Sequence, residues 1–214
     1  MKLNDPPYLQ IALDLVDKEQ LKSVLSQIPK SEKILIEAGT PLIKKFGIHI
    51  IRDMFESQSN TYIIADMKTL DVGFLEVQIA AEENAKAVTI SGLAAIETIK
   101  SALDESVLRK TDLILDLMNV KDPLDVLSKL DNKPDVLLFH RGIDQEKREE
   151  HPWELIKKIR IEYPQTLIAV AGGLDLKKSQ KALENGADII IIGRAITQSK
   201  DVLKSINQFL DILN

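Results

Sequence analysis

Short runs of Ile, Leu and Val alternate with longer amphipathic stretches along the whole chain, and the short runs number eight. They cover Leu9–Leu15, Lys33–Ala38, Thr61–Met67, Ala87–Ser91, Asp112–Met118, Asp135–His140, Thr166–Ala171 and Asp188–Ile192. Short apolar runs bounded by polar turns are the pattern of strands buried on both faces. Their alternation with helical segments is that of repeated βα units around a parallel sheet. Asp122 before Pro123, and His151 before Pro152, are plausible helix starts, because proline lacks an N–H and suits the first turn. Gly186 is placed to end a helix. Eight units in 214 residues leave little room for insertions, and no Pro/Gly/Ser-rich linker or shift of composition divides the chain. The expected fold is therefore a single α/β domain over residues 1–214, a (β/α)8 TIM barrel. The competing architecture, an open doubly wound sheet, usually has fewer strands.

In a closed barrel the active site lies at the carboxyl ends of the strands, so the polar residues that end each apolar run carry the functional information. In order they are Asp14, then Glu37, then Asp66 with Lys68, then Ser91 with Gly92, then Asp116 with Asn119, then His140, then Gly172 with Gly173, and last Gly193 with Arg194. Singly, Asp116 reads as a helix cap, Asn119 as a turn residue and His140 as an edge histidine; it is their convergence on one rim that implies a site. The run Ala-Asp-Met-Lys-Thr-Leu-Asp places Asp66 and Lys68 on the same side of a strand, with Asp71 just beyond. An ammonium held between carboxylates stays protonated, which suits an electrostatic stabiliser or proton donor and not a Schiff-base nucleophile. A surface ion pair contributes only about 0–1 kcal/mol, so stability alone is a poor reason for three charges there. Glu37 and Asp66, with Asp14 beside Glu37, make a hard, all-oxygen set that suits Mg²⁺ or Mn²⁺, with water and substrate oxygens completing the shell. The same acids could instead bind substrate hydroxyls. The segments Val170-Ala171-Gly172-Gly173-Leu174 and Ile192-Gly193-Arg194-Ala195-Ile196 have glycines where backbone must approach a ligand, a following helix N-terminus and one guanidinium, the ingredients of a phosphate grip.

Composition narrows the partners. The formal net charge is -5, with Lys and Arg scattered among acids, so no basic face exists to neutralise nucleic-acid phosphates. Cysteine is absent, which excludes disulfide scaffolds, thiol nucleophiles and Cys-ligated zinc. No apolar run approaches the length of a membrane span, and the polar Met1–Pro7 segment is unlike a signal peptide; a cytoplasmic location is expected. The charged run Asp144–His151 reads as a solvated loop, Trp153 as helix packing, His49 as a residue with no catalytic role, and Arg141 as a solvent-facing side chain.

From Leu9 to about Thr197 the sequence resembles the orotidine monophosphate decarboxylase suprafamily of barrels, whose hallmark DxKxxD stands here as Asp66, Lys68 and Asp71. Within it, IEAGTPLIK (Ile36–Lys44), DLMNVKDP (Asp116–Pro123), HRGIDQ (His140–Gln145), VAGGL and IGRAIT are similar to 3-hexulose-6-phosphate synthases. The resemblance implies a Mg²⁺-dependent aldol condensation of formaldehyde with D-ribulose 5-phosphate to D-arabino-hex-3-ulose 6-phosphate, or its reverse. It implies that His140 takes a proton from C1 and that Lys68 with a metal on Glu37 and Asp66 stabilises the enediolate. Asp14 and Asp71 would position hydroxyls and Lys68, and Gly172, Gly173, Gly193 and Arg194 would hold phosphate. In this family the second aspartate of DxKxxD serves the neighbouring subunit, so a homodimer is expected with Asp71 acting across the interface. Two relatives differ in a readable way. Orotidine decarboxylases carry lysine at the end of the second strand, where this chain has Glu37. The 3-keto-L-gulonate-6-phosphate decarboxylases place arginine three residues after the histidine, where this chain has Ile143. A barrel that binds phosphosugars without catalysis is the non-enzyme alternative; such a relative would be expected to lose part of the acid, lysine and histidine set, and none is lost here.

Overall fold

The computed structural model describes residues 3–58, 61–145 and 150–213. Eight parallel strands close a barrel in sequence order, the first pairing with the last. They are β1 (Tyr8–Leu13), β2 (Ile34–Ala38), β3 (Tyr62–Thr69), β4 (Ala87–Ser91), β5 (Asp112–Asp116), β6 (Val136–His140), β7 (Leu167–Ala171) and β8 (Ile189–Ile192). The helices described between and after them are α1 (Lys18–Leu25), α2 (Thr40–Phe46), α3 (Ile50–Ser57), α4 (Gly73–Glu82), α5 (Ile96–Arg109), α6 (Pro123–Ser128), α7 (Trp153–Glu162), α8 (Leu176–Glu184), α9 (Arg194–Thr197) and α10 (Val202–Asp211). None of them is long and apolar enough to cross a membrane.

Strand periodicity sorts the apolar residues into two layers. Leu9, Ile11 and Leu13 of β1 face outward into the large cluster shared with the helices, as do Ile36 and Ile63. Tyr8 and Ala12 face inward with Leu35, Ile64, Ala87, Ile114, Leu138, Ala171 and Ile191, which fill the barrel interior. Because side chains alternate, the inward row continues upward from Leu35 to Glu37, from Ile64 to Asp66, from Ala87 to Thr89, from Ile114 to Asp116 and from Leu138 to His140. The same alternation that packs the core thus delivers polar groups from neighbouring strands to one rim.

Boundaries shift where backbone geometry intervenes. β1 ends at Leu13 and β5 at Asp116, so Asp14 and Met118 lie just past their strands, while β3 runs on to Thr69. That extension contains a bulge: Ala65 pairs with Val88, but the next pairing is Thr69 with Ile90, and Lys68 sits at φ 48. Asp122 caps α6, its side chain accepting from the Asp125 N–H. Helix α7 starts at Trp153 with Pro152 as its cap residue, one position later than the expected start at His151. Gly186, at φ 95, follows α8 as expected. In the charged run after β6, residues 146–149 lie outside the described residues; Ile143–Gln145 form a 3-10 turn and Glu150 is exposed. His151, the far end of that run, is buried and not solvated. Trp153 packs against the core as expected. His49 donates or accepts through Nδ1 at 2.8 Å from Glu83 Oε1, an ion-pair position remote from the rim.

Candidate active site

A cavity of about 570 Å³ opens at the carboxyl end of the barrel. Asp14, Glu37, Asp66, Lys68 and His140 line it, together with Gly172, Gly173, Gly193 and Arg194. Thr89 and Met118 complete the wall, so the ends of all eight strands meet in one volume of the size that small ligands occupy. Asp71 does not line this cavity; it is exposed, and its carboxylate accepts from the Val72 N–H at 2.8 Å.

Lys68 is the centre of the polar network. Its Nζ lies 3.0 Å from the Asp66 carboxylate and 3.0 Å from Asp116 Oδ2. Burial works against the ammonium, but Asp66 and Asp116 outweigh it, and the Lys68 pKa is raised. Asp116, 2% exposed, also lies 2.9 Å from His140 Nδ1. Its burial would raise the carboxyl, but His140 and Lys68 prevail and lower it, so it is held as an anion. With Nδ1–H donated to Asp116, neutral His140 keeps Nε2 as a lone pair, the arrangement of an oriented general base.

Asp66 is fixed by donors on every side: Thr40 Oγ1 at 2.6 Å, Thr89 Oγ1 at 2.7 Å, the Thr40 N–H at 3.3 Å and Lys68. Thr89 Oγ1 in turn accepts the Lys68 N–H at 3.1 Å, so one hydroxyl links Asp66 to the left-handed backbone of the bulge. Glu37 is buried and accepts from Gln10 Nε2 at 2.5 Å. Burial first, then Asp66 and Asp14, push its pKa up to about 8. Asp14 stands open at the cavity mouth, yet desolvation by its surroundings, with help from Asp66, raises its pKa as well.

Among the described residues no group of three or more His, Asp or Glu is arranged to hold a metal ion by itself. Glu37 and Asp66 nevertheless fit a divalent cation. Asp14, Glu37 and Asp66 share one cavity, where, besides burial, Asp66 raises the pKa of Asp14 and both raise that of Glu37, a crowding of negative charge that a cation relieves. Mg²⁺ is commonly held by one or two carboxylates with water and substrate oxygens supplying the rest.

At the opposite side of the cavity, β7 and β8 deliver the glycine loops. Gly172 and Gly173 have φ of 103 and 62, conformations that favour glycine. Arg141, expected in solvent, is buried instead, its Nη2 donating to the Gly172 carbonyl at 3.0 Å. Three polar groups around the site escape a reading of the sequence alone, Gln10, Thr40 and Thr89, and Asp116, read there as one of the converging strand-end residues, gains its role as the partner of both Lys68 and His140 only in the structure. The available signal is period two: each is a polar residue in or beside an apolar run, and Gln10, Thr89 and Asp116 occupy inward positions.

Among known proteins, the chain is 48% identical over 215 residues to the "Bifunctional enzyme Fae/Hps" of Methanothrix thermoacetophila (strain DSM 6194 / JCM 14653 / NBRC 101360 / PT), a match covering 100% of this chain and 54% of that protein. It therefore spans about half the length of the curated relatives it matches. A crystal structure of 3-hexulose-6-phosphate synthase, 26% identical, superimposes with a TM-score of 0.84 over 97% of this chain and 100% of the other. A crystal structure of KGPDC from Streptococcus mutans, 24% identical, shares the fold, with a TM-score of 0.84 and 98% of each chain covered. Residues 7–209 match the orotidine 5'-phosphate decarboxylase / HUMPS family, and the chain belongs to that family.

Proposed function

We propose that this barrel is a lyase of the aldolase type, a 3-hexulose-6-phosphate synthase joining formaldehyde to D-ribulose 5-phosphate to give D-arabino-hex-3-ulose 6-phosphate, and catalysing the reverse. The observation that carries this reading is the shared carboxylate of Asp116, which holds Lys68 Nζ at 3.0 Å and His140 Nδ1 at 2.9 Å in the same cavity as Glu37 and Asp66. An acid–base residue and a fixed cation beside a carboxylate pair are what forming and stabilising an enediolate requires. The identity to a relative whose name includes Hps, and the fold match to a 3-hexulose-6-phosphate synthase, agree with it.

In this mechanism the phosphate of the substrate lies on Gly172, Gly173, Gly193 and Arg194, and its ketone end reaches Lys68. His140 Nε2 takes a proton from C1, and Asp116 steadies the imidazolium that results. Lys68 offsets negative charge on the enediolate oxygens, after which C1 attacks the formaldehyde carbon, the carbonyl π pair moves to the formaldehyde oxygen, and that oxygen takes the proton from the His140 imidazolium. Asp14 orients substrate hydroxyls at the cavity mouth. Glu37 and Asp66 would hold Mg²⁺, or Mn²⁺ in its place. Such an ion, when bound, supplies further electrostatic stabilisation of the enediolate oxygens. Ile143 lines the cavity where the keto-gulonate-phosphate decarboxylases place arginine, so no guanidinium at that position faces the substrate.

Asp71 belongs to the site of a second subunit in this reading. Leu70, Val72 and Phe74 beside it in the chain are exposed apolar side chains, the kind of surface a homodimer covers, and light scattering in solution reads the assembly directly. The decisive experiment follows formaldehyde loss with D-ribulose 5-phosphate and Mg²⁺. Consumption that a chelator and Asp66→Ala each abolish is the expected result. Folded protein that consumes no formaldehyde overturns the assignment and directs attention to keto-gulonate-phosphate decarboxylation, then to orotidine 5'-phosphate decarboxylation, then to a binding role without catalysis.

A further inference from the structure

The structure holds an ordered stack behind the β7 loop that the catalytic network does not use. Lys181 Nζ of α8 lies 5.1 Å from the centroid of the Trp153 ring, and that ring is tilted 49° against His151 at 5.1 Å between centroids. His151 is 5% exposed, and its Nε2 lies 3.0 Å from the Gly172 carbonyl oxygen. A carbonyl only accepts, so Nε2 carries the proton and donates. Arg141 Nη2 donates to the same oxygen, also at 3.0 Å. Two side chains from the two ends of the segment joining β6 to α7 thus converge on one backbone atom of the β7 loop. The approach is close: a Cβ on Gly172 would fall 2.0 Å from the Arg141 carbonyl oxygen.

In a trans peptide the C=O and the next N–H point in opposite directions. A Gly172 carbonyl pinned against His151 and Arg141 therefore turns the Gly173 N–H the other way. Gly173 lines the cavity, and among the described residues no backbone group accepts a hydrogen bond from its N–H. Burial, reinforced by Arg141, lowers the His151 pKa to about 4, so the ring stays a neutral donor through the range in which enzymes usually work.

We propose that His151 is a positioning residue for phosphate recognition, holding the Gly172–Gly173 peptide so that the Gly173 N–H faces the phosphate of the bound sugar. This rests on the reading that phosphate occupies the Gly173, Gly193 and Arg194 end of the cavity.

The test compares His151→Asn and His151→Gln with the wild-type enzyme. The glutamine amide nitrogen reaches the place of Nε2, whereas the asparagine amide is too short. Binding of inorganic phosphate is measured by calorimetry, alongside KM for each substrate. His151→Asn is expected to weaken phosphate binding about tenfold and to raise KM for D-ribulose 5-phosphate similarly, with kcat and the KM for formaldehyde within about threefold. His151→Gln should recover most of the affinity. Equal phosphate binding by His151→Asn and wild type overturns the proposal, as does failure of glutamine to rescue. Arg194→Ala separates the two readings. If it weakens phosphate binding while His151→Asn does not, only the positioning role falls; if it too leaves binding unchanged, the phosphate site itself is elsewhere. A measurement free of variants completes the set: the Gly173 amide resonance of the wild-type protein should shift as phosphate is added, and an unmoved resonance at saturation overturns the proposal.

Discussion

At the residue scale the chemistry depends on how few charges serve how many roles. Asp116 Oδ2 is bonded to both Lys68 and His140, so a single buried carboxylate fixes the direction of a cation and the tautomer of a base. Asp116→Asn keeps the volume but removes the charge: an amide oxygen turned to Lys68 and His140 sets the NH₂ against the donating Met118 N–H, and an NH₂ turned the other way meets an ammonium that cannot accept. We expect kcat to fall by about 100-fold or more, with a smaller change in KM for the phosphosugar, because the interactions lost matter most once charge has developed. Steady-state kinetics check this, and a kcat within about threefold of wild type would remove Asp116 from the mechanism. The strand-end residues Glu37, Asp66, Lys68 and His140 were legible as a group because apolar runs mark where strands stop. The role of Asp116 was not legible, since an aspartate at a strand end reads equally well as a helix cap until its partners are seen.

At the element scale the bulge in β3 is the informative departure from regularity. Simple alternation puts Asp66 and Lys68 on one side of a strand, and they do share the cavity, but the backbone reaches that result through a left-handed Lys68 and a register shift against β4. The Thr89 hydroxyl ties the feature together, accepting from the Lys68 N–H and donating to Asp66. Thr89→Val preserves shape while removing both bonds. It should lower kcat by about tenfold and cost about 1–3 kcal/mol of stability, read from denaturant unfolding. Unchanged kinetics in a folded variant would mean that the bulge holds its geometry without the hydroxyl. Elsewhere the elements obey local chemistry: Asp17, Asp122, Asp175 and Asp201 each accept from a first-turn N–H of the helix that follows.

At the scale of the whole molecule, stability should depend on pH through His151. Its pKa is about 4 in the folded protein against an ordinary 6.5, so the unfolded chain takes up a proton that the folded chain refuses. Above 6.5 both states are neutral there and nothing changes. As pH falls from 6.5 toward 4 the folded state loses up to about 3 kcal/mol relative to the unfolded, and below 4 the loss is complete. Urea unfolding at a series of pH values in wild type and His151→Gln checks this, since the variant should lack that part of the slope. Parallel slopes for the two proteins would show that the ring protonates as readily in the folded state as in the unfolded one.

By itself the sequence determined the closed alternation of eight strands with helices and the rim on which the polar groups gather, because the period of apolar residues is a local property of the chain. It also carried the motifs of Asp66, Lys68 and Asp71 and the two glycine loops, because those are contiguous. Only tertiary structure decided which groups meet across strands. Asp116 with Lys68 and His140, Thr89 with Asp66, and Gln10 with Glu37 are partners 23 to 48 residues apart, and Arg141 and His151 meet on one carbonyl. Their pairing follows from barrel closure and strand register, which bring distant inward positions to the same level, and no periodicity within a single segment encodes that. Burial follows the same rule: Arg141 and His151 are charged or polar residues beside a polar run, and both are interior in the folded chain, where each meets the Gly172 carbonyl just past β7.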